Sequence, residues 1–87
     1  MDEADENELR DAPPGEPSPT SYDLAHTKAY LRLLDADAQG ADWREAAEVI
    51  LQLDCVGNPA HAREVYQAHL NRAQWMAGEG YRHLLQR

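Results

Sequence analysis

The sequence predicts an all-α protein: a small four-helix domain, a helix-turn-helix variant with an extended turn, behind a disordered acidic N-terminal tail. Three observations carry this. Seven of the eight net negative charges lie in residues 1–23, where eight acids face Arg10 alone. From residue 22 onward apolar side chains recur at helical spacing. Glycine, Asn-Pro and Gly-x-Gly punctuation divides that stretch into segments of helical length.

The tail, residues 1–20, holds four of the five prolines, with Met1 and Leu9 as its large apolar side chains. It has too little apolar surface to offset the entropy of ordering it. It reads as a solubilising segment or, alternatively, as a polyanion that mimics DNA or shields the domain. Residues 21–87 form the domain.

The first predicted helix runs from about Tyr22 to Asp35, capped by Thr20 or Ser21, with Asp23 in its first turn. Leu24, Thr27, Leu31 and Leu34 share one stripe, with Tyr30 at its edge. Leu33 points away from that stripe, either as an ordinary exposed leucine or as a contact residue. Asp35 to Ala41 is a connection broken at Gly40. The second helix runs from about Trp43 to Leu53 behind an Asp42 cap, with Glu45 three residues on as a capping-box variant. Trp43, Ala46, Ala47, Ile50 and Leu53 make its core face. A turn of about five residues, Asp54 to Asn58, precedes Pro59, and cap followed by proline is a strong helix start. The third helix runs to about Ala77, with Ala62, Val65, Tyr66, His69, Leu70, Ala73, Met76 and Ala77 on one face. Trp75 lies off that face, packed on a fourth helix or exposed as an anchor. Gly78-Glu79-Gly80 ends the helix, and a short fourth helix, about Tyr81 to Gln86, closes the core.

Composition narrows the function classes. Eighty-seven residues allow one domain. One cysteine, Cys55, excludes an internal disulfide and fits a reducing cytosol. The acidic N-terminus and the lack of a long apolar run exclude a signal peptide and a membrane span, so a cytoplasmic protein is expected. The histidines at 26, 61, 69 and 83 never fall at i, i+4 spacing, and Cys55 lacks companion ligands, so no metal is expected. His69 reads as a satisfied core or boundary histidine. No phosphate loop or catalytic constellation is present, and no cofactor or enzymatic activity is expected.

The second and third helices form the candidate helix-turn-helix, whose third helix would enter the major groove. Arg63, Gln67 and Asn71 have the side chains to read bases. The charge argues the other way. Asp35 to Asp54 holds six acids against Arg44, and Asp42, Glu45 and Glu48 make an acidic surface where duplex affinity needs cations.

The runs Leu31-Arg-Leu-Leu-Asp35, Gly40-Ala-Asp-Trp-Arg-Glu-Ala-Ala-Glu-Val-Ile-Leu51 and Gly80-Tyr-Arg-His-Leu-Leu85 resemble a bacterial extended-turn helix-turn-helix domain. That domain recurs in proteobacterial regulators of integrative and conjugative element transfer under quorum sensing, in FseA-type activators and, alone, in QseM-type antiactivators. The resemblance covers about residues 24–86. With the negative charge, it implies an antiactivator that captures an activator's companion domain without binding specific DNA, and that is monomeric when free. The alternative is a DNA-binding regulator or excisionase-like accessory protein. If the second and third helices correspond to the DNA-facing side, the partner face is Tyr30, Leu33, Trp75, Tyr81 and Leu85, with Asp37 at its rim.

Overall fold

The computed structural model describes residues 8–80 and Arg82. Among them are four α-helices and no strand: α1 (Ser21–Ala25), α2 (Thr27–Ala38), α3 (Trp43–Leu51) and α4 (Pro59–Trp75). A π-helical turn, Met76–Gly80, continues α4. The predicted fourth helix lies outside the described residues except for Arg82, which is helical.

Local chemistry sets the helix starts. Thr20 caps α1 in a full capping box with Asp23. The Asp42 carboxylate accepts from the Arg44 N–H at the head of α3, and Asn58 accepts from the His61 N–H ahead of Pro59. The ends rely on left-handed residues. Gly40, at φ +74°, follows α2. Gln52, at φ 57°, closes α3, and its N–H and that of Leu53 both bond the Ala47 carbonyl behind them. α3 therefore stops two residues before the Leu53 expected from the sequence, and the link to α4 spans residues 52–58 rather than five residues.

The single first helix of the sequence reading is two helices, broken at His26 (φ −108°, ψ 19°), and its inner face is turned away from Leu24 and Leu31 while keeping Tyr30 and the half-buried Leu34. Tyr22, His26, Tyr30 and Leu33 are buried, while Leu24 and Leu31 are 53% and 61% exposed. Leu33, expected outside, is fully buried in the core with Ala46, Ala47, Leu51, Cys55, Ala62, Tyr66 and Leu70. The cause lies in the polar tips of the inward side chains. Tyrosine, aspartate and histidine rank below leucine in hydropathy, yet here Tyr22, Asp23 and Tyr30 have partners inside, which offsets the cost of burial; His26 Nδ1 bonds the Tyr22 carbonyl, while its buried Nε2 has no partner among the described residues.

The partners of Tyr22 and Asp23 lie on α4. The Tyr22 hydroxyl bonds His69 Nε2 at 2.7 Å, and His69 Nδ1 bonds the Val65 carbonyl at 2.8 Å. A carbonyl only accepts, so Nδ1 carries the proton and Nε2 accepts from the tyrosine. Arg72 donates to both oxygens of Asp23, at 2.9 and 2.7 Å, and the Tyr30 hydroxyl donates to the same carboxylate at 2.8 Å. Burial alone would raise the Asp23 carboxyl. Arg72, Thr20 and Tyr30 overcome it and hold it at about 2. Burial pushes the His69 imidazole below its ordinary range, with the Val65 bond pulling the other way.

Residues 9–18, expected as a detached tail, touch the domain. Leu9 packs against the core cluster. The Arg10 N–H donates to the Tyr22 hydroxyl at 3.0 Å. Arg72 donates to the carbonyls of Glu16 and Ser18 at 2.8 and 3.2 Å, and Asp11 pairs with His61 Nε2 at 3.3 Å. This stretch thus follows α4 from residue 61 to residue 72, about 16 Å at the helical rise. Five residues reach that far when extended, the backbone that Pro13, Pro14, Pro17 and Pro19 favour, and seven reach it with room for the bends at residues 11–12 and 17–18.

Candidate nucleic-acid interface

α3, the residue 52–58 link and α4 make the helix-turn-helix. Ala46 and Ala47, both buried, let α3 lie close to α4, and Cys55 is buried in the turn between them. α4 is covered on two sides. One side faces the core through Ala62, Tyr66, Leu70 and Ala73. The other, His61, Val65, His69 and Arg72, lies under α1 and the N-terminal stretch. The face left to solvent carries Ala60, Arg63, Glu64, Asn71 and Gln74, with Gln67 half-buried on the same stripe.

That face has built order. Gln67 Nε2 donates to Asn71 Oδ1 at 3.0 Å, one helical turn on, so the two amides constrain each other's orientation. Arg63 and Arg44 flank Trp43, their guanidinium carbons 5.0 and 5.2 Å from the ring centroid, and Tyr66 supports the indole from the core at 5.9 Å. A guanidinium held over an indole keeps its charge while losing part of its freedom. The result is two cations, each fixed against one aromatic ring, beside two amides on one helix face. Arginine and amide side chains on a helix of this class are the groups that read guanine and adenine edges in the major groove.

The acidic residues Asp42, Glu45 and Glu48 are exposed on α3, as expected. The proposed partner face does not come together. Tyr30 and Leu33 are buried; neither is available to a partner without unfolding α2. Asp37 is exposed. Trp75 is half-buried with the Arg72 guanidinium 4.0 Å over its ring. Tyr81 and Leu85 lie outside the described residues. The Arg44–Trp43–Arg63 stack was missed. The signal was present in Asp42-Trp43-Arg44, but Trp43 was assigned to the core alone, and Arg63 lies twenty residues away.

A family model described as "T6SS, Transcription factor, DNA binding domain" (RovC_DNA-bd) matches residues 3–86, nearly the whole chain. No curated protein and no solved structure matches. The family match overturns the expectation of no specific DNA binding, and it lends no support to an activator protein as the partner. It favours the DNA-binding alternative over the antiactivator role, and it bears on neither conjugative elements nor quorum sensing. Net charge does not decide the matter, because Arg44 and Arg63 are held together on Trp43 beside the outward stripe of α4. Among the described residues no helix is long and apolar enough to cross a membrane, and no group of metal-ligating side chains is present.

Proposed function

Because the chain belongs to the family of T6SS transcription-factor DNA-binding domains, we propose that it binds duplex DNA as the DNA-binding module of a transcription regulator, without catalysis. α4 enters the major groove with Arg63, Gln67 and Asn71 toward the bases, and Arg44 meets the phosphate backbone beside it. The observation that carries this is the outward stripe of α4. Among the described residues, neither core nor N-terminal stretch covers it, and it holds an ordered amide pair and an indole-braced arginine.

Selection of bound sequences from a random duplex library at low salt tests the reading. Wild-type protein is expected to enrich a defined short motif. Asn71→Ala is expected to relax preference at one position by about 1–3 kcal/mol, the worth of one bidentate base contact. Failure to enrich any motif, or a motif unchanged by both Asn71→Ala and Arg63→Ala, would remove this assignment.

A further inference from the structure

We propose that residues 8–19 form an acidic strap that competes with DNA for the N-terminal end of α4. The inference rests on the DNA-binding reading of α4 given above.

The strap's anchors are not its acids. It is held by Leu9 on the core, by the Arg10 N–H on the Tyr22 hydroxyl, by the Arg10 guanidinium 4.7 Å over the Tyr22 ring, and by two backbone carbonyls on Arg72. None of these anchors is an acidic side chain, and one acid has a specific place of its own. The Asp11 carboxylate sits 3.3 Å from His61 Nε2, in the first turn of α4. The first turn of a helix-turn-helix reading helix enters the major groove between the phosphate backbones, and its positive end suits an anion. Asp11 puts a carboxylate, of the same charge sign as those phosphates, beside that turn. Glu8 precedes it on the described chain, and Asp2, Glu3, Asp5 and Glu6 lie further along the sequence.

The contact is built to yield. The Asp11 side chain is 83% exposed and that of His61 47%, and an ion pair so open to water contributes little. A duplex that offers several phosphates displaces it readily, while the anchors at Tyr22 and Arg72 keep the strap on the domain. The strap thus raises the threshold for DNA without closing the site, and it penalises contacts that engage only the phosphate backbone.

A matched pair of charge variants tests this. Glu8→Gln/Asp11→Asn removes two charges from the strap. Asp35→Asn/Glu79→Gln removes two exposed charges elsewhere. Fluorescence anisotropy with a labelled 20-base-pair duplex of random sequence gives the affinities, and helical circular dichroism confirms that all proteins fold. At low salt the strap variant is expected to bind at least about fivefold tighter than wild type, with the gain fading as salt shortens the range of charge effects. The matched control is expected to gain less than about twofold on the same grounds. Equal gains in both variants, or none in either, would overturn the strap while leaving DNA binding intact. Absence of binding by all three proteins would overturn the DNA-binding reading and the strap together. Hydrogen exchange gives a second measurement: duplex should speed exchange near Asp11 and leave the Arg10 amide protected. An unchanged Asp11 region in the bound state would also count against the proposal.

Discussion

At the scale of single residues, the buried Asp23–Arg72 pair is the feature on which the rest depends. Both ions are out of water, and each is satisfied on more than one side. Removing one partner leaves the other charged and stranded. Arg72→Met is therefore expected to cost about 3 kcal/mol or more in urea unfolding, within the range for a broken buried pair. The pair also sets an acid limit. The Asp23 carboxyl is held at about 2 against an ordinary 3.8, so its folded form binds protons less readily than its unfolded form. The stability it contributes is present above about 4 and is lost as pH falls toward 2. An Asp23→Asn variant should start less stable and lose less across that window. His69 acts in the same sense at milder pH, because burial lowers its proton affinity below the ordinary 6.5. Its contribution is full above that value and declines as pH falls below it. Leu33→Glu tests the orientation of α2 directly. On the sequence reading, an exposed or contact leucine, it would leave the fold intact; with Leu33 fully buried it should unfold the domain, seen as loss of helical circular dichroism, since an unpaired charge in a small core exceeds the margin such domains have.

At the scale of elements, what was legible in the sequence was local. Thr20, Asp42 and Asn58-Pro59 announced the helix starts because a cap acts on amides two or three residues away. Gly40 announced a stop for the same reason. The facing of α2 was not legible, since a leucine count favours Leu24 and Leu31, while the true inward stripe holds tyrosines and a histidine around Tyr22 and Asp23, whose own partners His69 and Arg72 lie 47 and 49 residues away on α4. The end of α3 was misplaced because Gln52, a residue with no preference for positive φ, takes the left-handed position. That position yields a prediction: Gln52→Gly should raise stability by about 0.5–1 kcal/mol, measured as a shift in the urea midpoint, because glycine adopts this conformation without the steric cost borne by other residues. Gly40→Ala, at φ +74°, should lower it by about 1 kcal/mol for the converse reason.

At the scale of the whole molecule, the proposed function has an acidic protein bind a polyanion with few cations. Arg44 and Arg63 are the guanidinium groups beside the outward stripe of α4. A plot of log affinity against log salt should therefore have a shallow slope of about −1 to −2, by the usual counterion release per neutralised phosphate. A slope of −6 or steeper would mean that a larger basic surface is used. The candidate site was half legible. Arg63, Gln67 and Asn71 stood out by type and spacing, but their exposure depends on what covers the rest of α4. That covering comes from residues 9–18, contacts separated by more than fifty positions in the chain, and no periodicity carries such information.

The two tryptophans each lie beneath an arginine, and this makes the protein its own optical instrument. Trp43 stands between Arg44 and Arg63 at the α3–α4 face, and Trp75 lies under Arg72 at the far end of α4. Their emission therefore reports on different events. With Trp75→Phe, the remaining indole signals docking of a duplex, and its emission should be quenched on titration with DNA at neutral pH. With Trp43→Phe, the remaining indole watches the Asp23–Arg72 pair, and its emission should respond to acid and stay flat when DNA is added. One unlabelled chain can thus separate occupancy of its reading face from the integrity of its ionic core.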